Sequence, residues 1–477
     1  MKGLKIALGS IAVLLLLAGV YYLHSKKVND QANINVFQAI PETADAVFVI
    51  NLEAFVKLAF SNISDLLKLS DKLEKGDRTE SFQNEVQLSG INLSRKIIVF
   101  LEEETVSALI PIQSKSEFSA YLQKLTASSK LSSISETEFY SPDLKSYITF
   151  SDKICFITMS PSTNVSLAQE AWKGITAING NPLDPALEEL QNSDEHFSFY
   201  IKEDEISARN SFFKHSPSAI SHLSFRDGEI LLSGLIESND DEATNPFSKL
   251  GESLPKSSIA SIYVNLDTSP EMWDYWLQKS AAKILADDFT RSFTDSRELV
   301  NWDGLFNFSV NGTDNVNIES ITYSYDDNFE PIEEKTLKAV TQLTYTGNLT
   351  LHTIPSNNLK LDKLLPSQSH YSQIIDSTLW FSTTENYPKE TIANPNAIHA
   401  YLDFIELNSI ADKLNIPSSF RGGGVLELIK EAELKVTTIG NQISTKLVIR
   451  TAEPEKNSLI YLTGQLSAMD FNPLKNP

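Results

Sequence analysis

Cysteine is almost absent. Cys155 is the only one in 477 residues, so no disulfide can close within the chain and a disulfide scaffold is excluded. Cys155 sits inside the apolar run Ile154–Met159 and reads as a buried thiol acting as a small hydrophobe. Histidine is scarce too. His24, His196, His215, His222, His352, His370 and His399 are the full set, and none falls in H-E-x-x-H, which places two metal ligands on one helix face. His215 and His222 stand two helical turns apart, but Pro217 lies between them and breaks a shared helix. Positive charge is in deficit, with 40 Lys+Arg against 62 Asp+Glu and a net charge of −22. That balance argues against nucleic acid, whose phosphates need Lys and Arg, and against lying flat on an anionic bilayer. At 41% hydrophobic and 21% charged residues, the chain is neither collagen, coiled coil nor wholly disordered. Its length suits two to four domains.

The longest apolar run opens the chain. Leu4–Leu23 holds no charge after Lys5, and a helix of that length matches a hydrocarbon core of about 30 Å. Tyr21 and Tyr22 suit an interfacial aromatic belt. A cleaved signal peptide would need small residues after the run, where Val20, Tyr21, Tyr22, Leu23 and His24 stand instead. A lipoprotein would need a cysteine there. The expectation is an uncleaved anchor in residues 1–27 that meets the membrane through residues 4–23, followed by a polar tether at 28–37. The amino terminus would be cytoplasmic and the bulk of the chain extracytoplasmic. Lys2, Lys5, Lys26 and Lys27 give the anchor a charge of +4, leaving 36 bases against 62 acids beyond it.

The remainder repeats itself. PETADAVFVINLE at 41–53 and PKSSIASIYVNLD at 255–267 align Pro41 with Pro255, Ala46 with Ala260, Asn51 with Asn265, Leu52 with Leu266 and Glu53 with Asp267, all 214 apart. Gly90 and Gly304 share that offset, and Ile230 of DGEILLSGLI meets Ile443 of GNQISTKLVI at 213. Each later stretch runs on to Asn245-Pro246-Phe247 or Asn457-Ser458-Leu459. A shared long offset is the mark of duplication. Two homologous units are expected, 38–251 and 252–466, with 467–477 as a tail.

Within each unit a short strand (Ala46–Leu52, Ser261–Leu266) leads into an apolar stripe at helical spacing. Phe55, Ala59, Ile63, Leu66 and Leu67 form the first stripe. Met272, Trp273, Trp276, Leu277, Ala281, Ile284 and Leu285 form the second, after Pro270. Strands are expected at Lys96–Leu101, Val106–Ile112, Tyr147–Phe150, Ile154–Met159, Phe197–Ile201, Ile230–Ile236, Ile318–Tyr325, Val340–Leu351, Leu379–Thr383, Ala397–Asp403 and Lys446–Arg450. Helical segments are expected at Ser116–Leu125 and Val425–Ala432. Strand runs without regular strand–helix alternation predict an α+β fold, mainly antiparallel sheet with covering helices, behind one N-terminal transmembrane helix.

Chemistry-bearing motifs are few. No G-x-S-x-G elbow occurs. Ser211–Lys214 and Ser253–Lys256 fit S-x-x-K but lack the S-D-N and K-T-G elements that accompany it. Gly422-Gly423-Gly424 after Arg421 lacks the Lys-Ser/Thr of a phosphate loop and reads as a turn. The acidic runs Asn239–Glu242 and Asp326, Asp327, Glu330, Glu333, Glu334 lack the alternating ligands, glycine and terminal glutamate of a calcium loop and read as solvated turns. Six sequons, at Asn62, Asn92, Asn164, Asn307, Asn311 and Asn348, matter only in a eukaryotic secretory setting. No catalytic, cofactor-binding or metal-ligating residue is nominated, and no ligand or partner contact is assigned.

The apolar anchor, the Pro-x-x-Ala strand opening closed by Asn-Leu-acid, the Gly90-Ile91-Asn92 turn and the closing Asn-Pro-Phe or Asn-Ser-Leu step together resemble the envelope-associated domain-of-unknown-function proteins common in Bacteroidota. The resemblance implies a periplasm-facing bacterial protein and carries over no catalytic residue. The leading expectation is a non-enzymatic, membrane-tethered envelope protein that binds a protein or envelope component, with a groove between the paired units as the expected location. The alternatives are a carrier or chaperone for an apolar ligand, lipid or unfolded polypeptide, and a hydrolase whose His and carboxylates converge without a motif.

Overall fold

A computed structural model of the chain describes residues 36–65, 90–92, 95–102, 105–127, 131–159, 168–173, 183–202, 218–237, 251–253, 259–265, 302–325, 330–351, 371–383, 392–414 and 425–468, a few positions within those ranges excepted. The chain divides into two compact units, Met1–Asn239 with Glu453–Pro477 and Asp240–Ala452.

The first unit is built on one antiparallel sheet. Its strands are β1 (Ala46–Asn51), β2 (Lys96–Glu102), β3 (Thr105–Pro111), β4 (Ser132–Ser133), β5 (Glu138–Ser141), β6 (Ser146–Phe150), β7 (Ile154–Met159), β8 (Phe197–Lys202), β9 (Ser218–Arg226) and β10 (Glu229–Glu237). They lie in the order β10-β9-β8-β1-β2-β3-β7-β6-β5-β4. Side chains alternate between faces along a strand, and both faces are covered. Val47, Val49, Ile98, Phe100, Leu109, Phe156 and Tyr200 pack against Phe37 and Ile40 beside the 3-10 turn Val36–Ala39, and against Leu190. Leu190 belongs to the helix Pro185–Asn192. The opposite face carries the helix α1 (Leu52–Ser61), whose Phe55, Leu58 and Ala59 meet Phe197, Phe225 and, from the chain's last helix Ser458–Ala468, Leu459 and Ile460. On that face α2 (Lys115–Ala127) sets Phe118 and Leu122 against Phe139, Phe150 and Cys155. Each such side chain contributes roughly 1.5–3 kcal/mol by leaving water.

Local chemistry sets the helix ends. Asn51 closes β1 and its Oδ1 accepts a hydrogen bond from the Ala54 N–H (3.2 Å), capping α1. Asp184 and Pro185 open α3 (Pro185–Asn192) in the same way. The far end of α3 is held by Lys96, whose Nζ donates to the carbonyls of Leu190 (3.1 Å), Gln191 (2.5 Å) and Ser193 (2.6 Å), where a cation also suits the helix dipole. Burial holds the Lys96 pKa below its ordinary value. Lys96→Met removes all three donations, and we expect it to destabilise the first unit by about 2 kcal/mol. Accelerated hydrogen exchange over Pro185–Asn192 would show it, and unchanged exchange would refute this assignment.

The second unit contains β11 (Gly251–Ser253), β12 (Ala260–Asn265), β13 (Trp302–Tyr325), β14 (Pro331–Leu351), β15 (Tyr371–Ile375), β16 (Thr378–Ser382), β17 (Ile392–Asn394), β18 (Ile398–Asp403), β19 (Ile429–Ile439) and β20 (Gln442–Thr451). Its main sheet, again antiparallel, runs β20-β19-β18-β12-β13-β14-β16-β15, and β11 pairs with β17 apart from it. Asp403 caps α4 (Phe404–Lys413) by accepting the Glu406 N–H (2.9 Å), and Ile410 of that helix packs on Ile259, Val310 and Phe308.

Several expectations change. Antiparallel sheet dominates, so the α+β assignment gives way to a mainly β fold with short covering helices. The longest described helix has 13 residues, about 20 Å against the 30 Å of a bilayer core. Among the described residues no helix is long and apolar enough to cross a membrane. The single-pass, signal-anchor reading and the cell-membrane placement built on it are therefore withdrawn; Leu4–Leu23 itself lies outside the described residues. Val425–Ala432 is not a helix but a 3-10 turn, Val425–Leu428, running into β19. The Trp273–Trp276 stripe lies outside the described residues. The last helix packs in the first unit, so the unit boundary falls after Ala452 rather than at 466.

Candidate functional site

β13 and β14 far exceed the usual strand of 5–6 residues, and only part of each belongs to the sheet. β12 pairs with Leu305–Val310, and β16 with Thr346–Thr350. Between Val310 and Gly312 the register skips a residue, a bulge that bends the strand. Beyond it, among the described residues, Gly312–Tyr325 and Thr344–Pro331 pair only with each other, a two-stranded ribbon about 45 Å long at the usual strand rise. Directly opposed residues share a face. The pairs Tyr325–Pro331, Tyr323–Glu333, Ile321–Lys335 and Glu319–Leu337 thus assemble one face with two tyrosines and two aliphatic side chains. Leu337 is 74% exposed, Tyr325 67%, Tyr323 61% and Ile321 44%. The other face carries Ser320, Thr322 and Ser324 with Ile332, Glu334, Thr336 and Lys338.

From Gly312 to Thr344 the sequence holds seven carboxylates against Lys335 and Lys338, a net charge of −5. Lys335 Nζ reaches Glu319 Oε1 at 2.9 Å, a solvent-exposed pair of small energetic weight. The ribbon is therefore an acidic arm with an aromatic and aliphatic stripe left in water. The acidic run predicted as a solvated turn supplies Glu330, Glu333 and Glu334 to it, while Asp326 and Asp327 lie outside the described residues. Sequence reading placed strands at Ile318–Tyr325 and Val340–Leu351 but missed their extension.

The first unit holds a hollow of about 360 Å³ between the 3-10 turn, α3 and the sheet. Phe37, Val47, Leu187 and Tyr200 line it, and Glu42 and Lys202 are among its polar walls. Lys202 Nζ donates to the Glu42 carbonyl. The volume stands at the lower end of ligand cavities.

Histidine and serine do meet in the first unit. His222 Nδ1 lies 2.8 Å from Ser198 Oγ and 3.2 Å from Ser193 Oγ, and its Nε2 lies 3.3 Å from Glu189 Oε1. With Nε2–H donating to the carboxylate, Nδ1 accepts from a serine hydroxyl. Hydroxyl, imidazole and carboxylate in series are the parts of an activated nucleophile, but Ser198 is 2% exposed, out of a substrate's reach. The series ties the end of α3 to β8 and β9. In the second unit His399 Nε2 bonds Glu433 (2.8 Å), which also pairs with Lys435 (3.0 Å), while Tyr401 donates to Glu431 (2.9 Å). Among the described residues no group of three or more His, Cys, Asp or Glu is placed to hold a metal ion. Burial pushes the Cys155 thiol pKa up, away from thiolate chemistry.

His24, His215, His352 and His370 lie outside the described residues, as do Ser211–Lys214, Gly422–Gly424 and Asn239–Glu242. Two sequon asparagines face each other in the sheet. Asn307 Nδ2 donates to Asn348 Oδ1 at 2.7 Å, and both are buried.

No protein-family model matches the chain, and no curated protein matches it. Solved structures of TP0453 match part of it. Crystal form I aligns at 12% identity and a TM-score of 0.30, covering 43% of this chain and 80% of that one. Crystal form III aligns at 12% and 0.30, covering 44% and 82%. Likeness at that score carries no argument about this chain.

Proposed function

We propose that this is a non-catalytic binding protein that docks a protein partner through the β13–β14 ribbon. One comparison within the chain carries the reading. The two main sheets share a core order: β10-β9-β8-β1-β2-β3-β7-β6 matches β20-β19-β18-β12-β13-β14-β16-β15 strand for strand. Asn51 and Asn265, 214 apart, hold matching places: each donates its backbone N–H to the residue before the neighbouring strand, His196 O (2.9 Å) and Ala397 O (2.8 Å). We read the units as a duplicated pair. In that pairing the counterpart of β13–β14 is β2–β3, with seven residues per strand. The fold is thus complete without the ribbon, and its exposed Tyr323, Tyr325 and Leu337 serve no core. Exposed aromatics on an uncovered element are a mark of interaction surfaces.

The charge selects the partner. A second copy would bring another −5 against the first, whereas a basic protein surface complements it and places Arg or Lys over the tyrosine rings. The test uses the full chain with a photocrosslinking residue at Tyr323 or, as control, at Ile134 of the first unit. Discrete protein adducts from Tyr323 alone, lost when Tyr325→Ser and Leu337→Ser are added, are expected. Equal adducts from both positions would refute the reading. So would flotation with phosphatidylcholine vesicles that Tyr323→Ser/Tyr325→Ser abolishes, because the stripe would then be a membrane contact.

A further inference from the structure

Resting on that reading, we infer that the partner contributes an extended basic segment, which adds as a third strand along the outer edge of β13 between Asn311 and Tyr325. Among the described residues no strand pairs with this stretch on the side away from β14, because β12 stops opposite Val310. An unpaired edge presents a row of N–H and C=O groups to any extended chain, and natural edges are normally blunted with Lys, Pro or inward charge.

The two edges of the ribbon differ in this respect. β14 begins on Pro331 and carries Glu333, Glu334, Lys335 and Lys338, the usual protection. From Asn311 to Tyr325, β13 has no proline and no lysine, and only Asp314 and Glu319 are charged. The bulge at Asn311 is where the strand leaves the sheet, so among the described residues its outer edge beyond that point has no strand beside it. Its composition favours a pleated, half-buried setting, with Ile318, Ile321, Thr322, Tyr323 and Tyr325 among β-formers. That setting is completed only when another strand lies alongside.

Side-chain periodicity then describes the incoming segment. Residues at every second position fall on the face of Ile321, Tyr323 and Tyr325, where aliphatic stems pack and cationic heads meet the rings and Glu333. The intervening positions fall beside Ser320, Thr322 and Ser324 and admit bulk. Main-chain bonds supply affinity and alternate side chains supply selectivity, as in strand addition generally. The net −5 of the ribbon works against two copies pairing edge to edge at neutral pH.

The probe is a capped eight-residue peptide of alternating Arg and Val, titrated into the full chain at low salt and followed by fluorescence anisotropy. Saturable binding is expected, weakened about tenfold by the Ser320→Lys/Thr322→Lys variant but by less than about threefold by Thr336→Lys on the protected strand. N-methylation of alternate residues leaves charge and side chains in place but removes N–H donors along one edge, and should weaken binding about tenfold as well. Absence of binding by the parent peptide overturns the inference. So does equal binding of the methylated peptide, which would mean docking by charge alone while the Tyr323 adducts persist. Loss of those adducts is the separate signature by which the ribbon reading itself fails. A concentration-dependent dimer dissolved by Ser320→Lys/Thr322→Lys overturns the inference in favour of a second copy as occupant.

Discussion

Gly347→Ala is expected to destabilise the second unit by about 4 kcal/mol, above the usual 1–3 kcal/mol of overpacking, and to lower its unfolding midpoint by about 10 °C. Gly347 lies in β14 between Phe308 of β13 and Phe381 of β16. A methyl group there would stand 2.3 Å from Phe381 Cζ, 2.5 Å from Cε2 and 2.8 Å from the Asn307 carbonyl oxygen. The ring has little room to yield: Phe381 is buried and stacked on Phe308 at 6.5 Å. The Asn307 carbonyl belongs to the sheet backbone and is held by the ladder. Phe381→Leu shortens the offending side chain at the expense of packing, so the two changes should not add. Their combination should be about 2 kcal/mol less harmful than the sum of the single effects. Strict additivity would show that Gly347 is small for some other reason, such as backbone freedom.

That position also marks where sequence reading stops. The strands of the first unit were legible because alternation and apolar runs coincide with burial. Val47 and Val49 are buried while Phe48 is exposed, and Ile154–Met159 is bounded as expected. β9 was not legible. SAISHLSFR mixes serine, histidine and arginine, since His222 bonds Ser198 and Ser224 donates to Glu195 on a polar part of the sheet. The first four residues of β19 fall within the stretch expected as helix, because Ile429-Lys430-Glu431-Ala432 suits either period. Cross-strand partners decide it, with Tyr401 and Arg450 both on Glu431. The helix α4 went unseen although Asp403 and Glu406 stand at capping-box spacing. The glycine pair shows the limit of an offset. Gly90 and Gly304 both adopt positive φ (66° and 88°), yet Asn51 pairs with Lys96 and Asn265 with Leu305. Gly90 therefore precedes its strand's pairing position by six residues and Gly304 by one, and shared conformation does not make them equivalent. The ribbon was half legible as strands, but its exposure was not, because nothing in a local pattern says which faces lack a cover.

The first unit should lose stability on mild acidification through one residue. The His196 ring meets Phe55 edge-on at 5.0 Å and Phe225 at 5.6 Å, and its Nδ1 accepts the Phe225 N–H at 3.3 Å. Burial first, and the nearby Arg226 charge second, lower its pKa from 6.5 to about 4. Arg226 is itself paired with Glu195 (3.2 Å), so the imidazole gains no carboxylate of its own from that neighbour. Between pH 6.5 and 4 the unfolded chain binds a proton that the folded unit refuses, so stability falls as pH drops through that window. The accumulated loss is about 3 kcal/mol once both states are protonated, and below pH 4 this residue adds nothing further. His196→Asn retains an acceptor for the Phe225 N–H without titrating. It should start from a lower stability at pH 7, because the ring contacts are gone, and should then lose about 2 kcal/mol less than the parent between pH 7 and pH 4.5. Hydrogen exchange over Phe197–Lys202, compared at the two pH values after correction for intrinsic rates, isolates the first unit from the second. Carboxylates titrate alike in both proteins and cancel in the difference. Parallel pH dependence in parent and variant would show that His196 takes up its proton in the folded state, which requires either a breach in the aromatic cluster at mild acid or a carboxylate moving onto the ring.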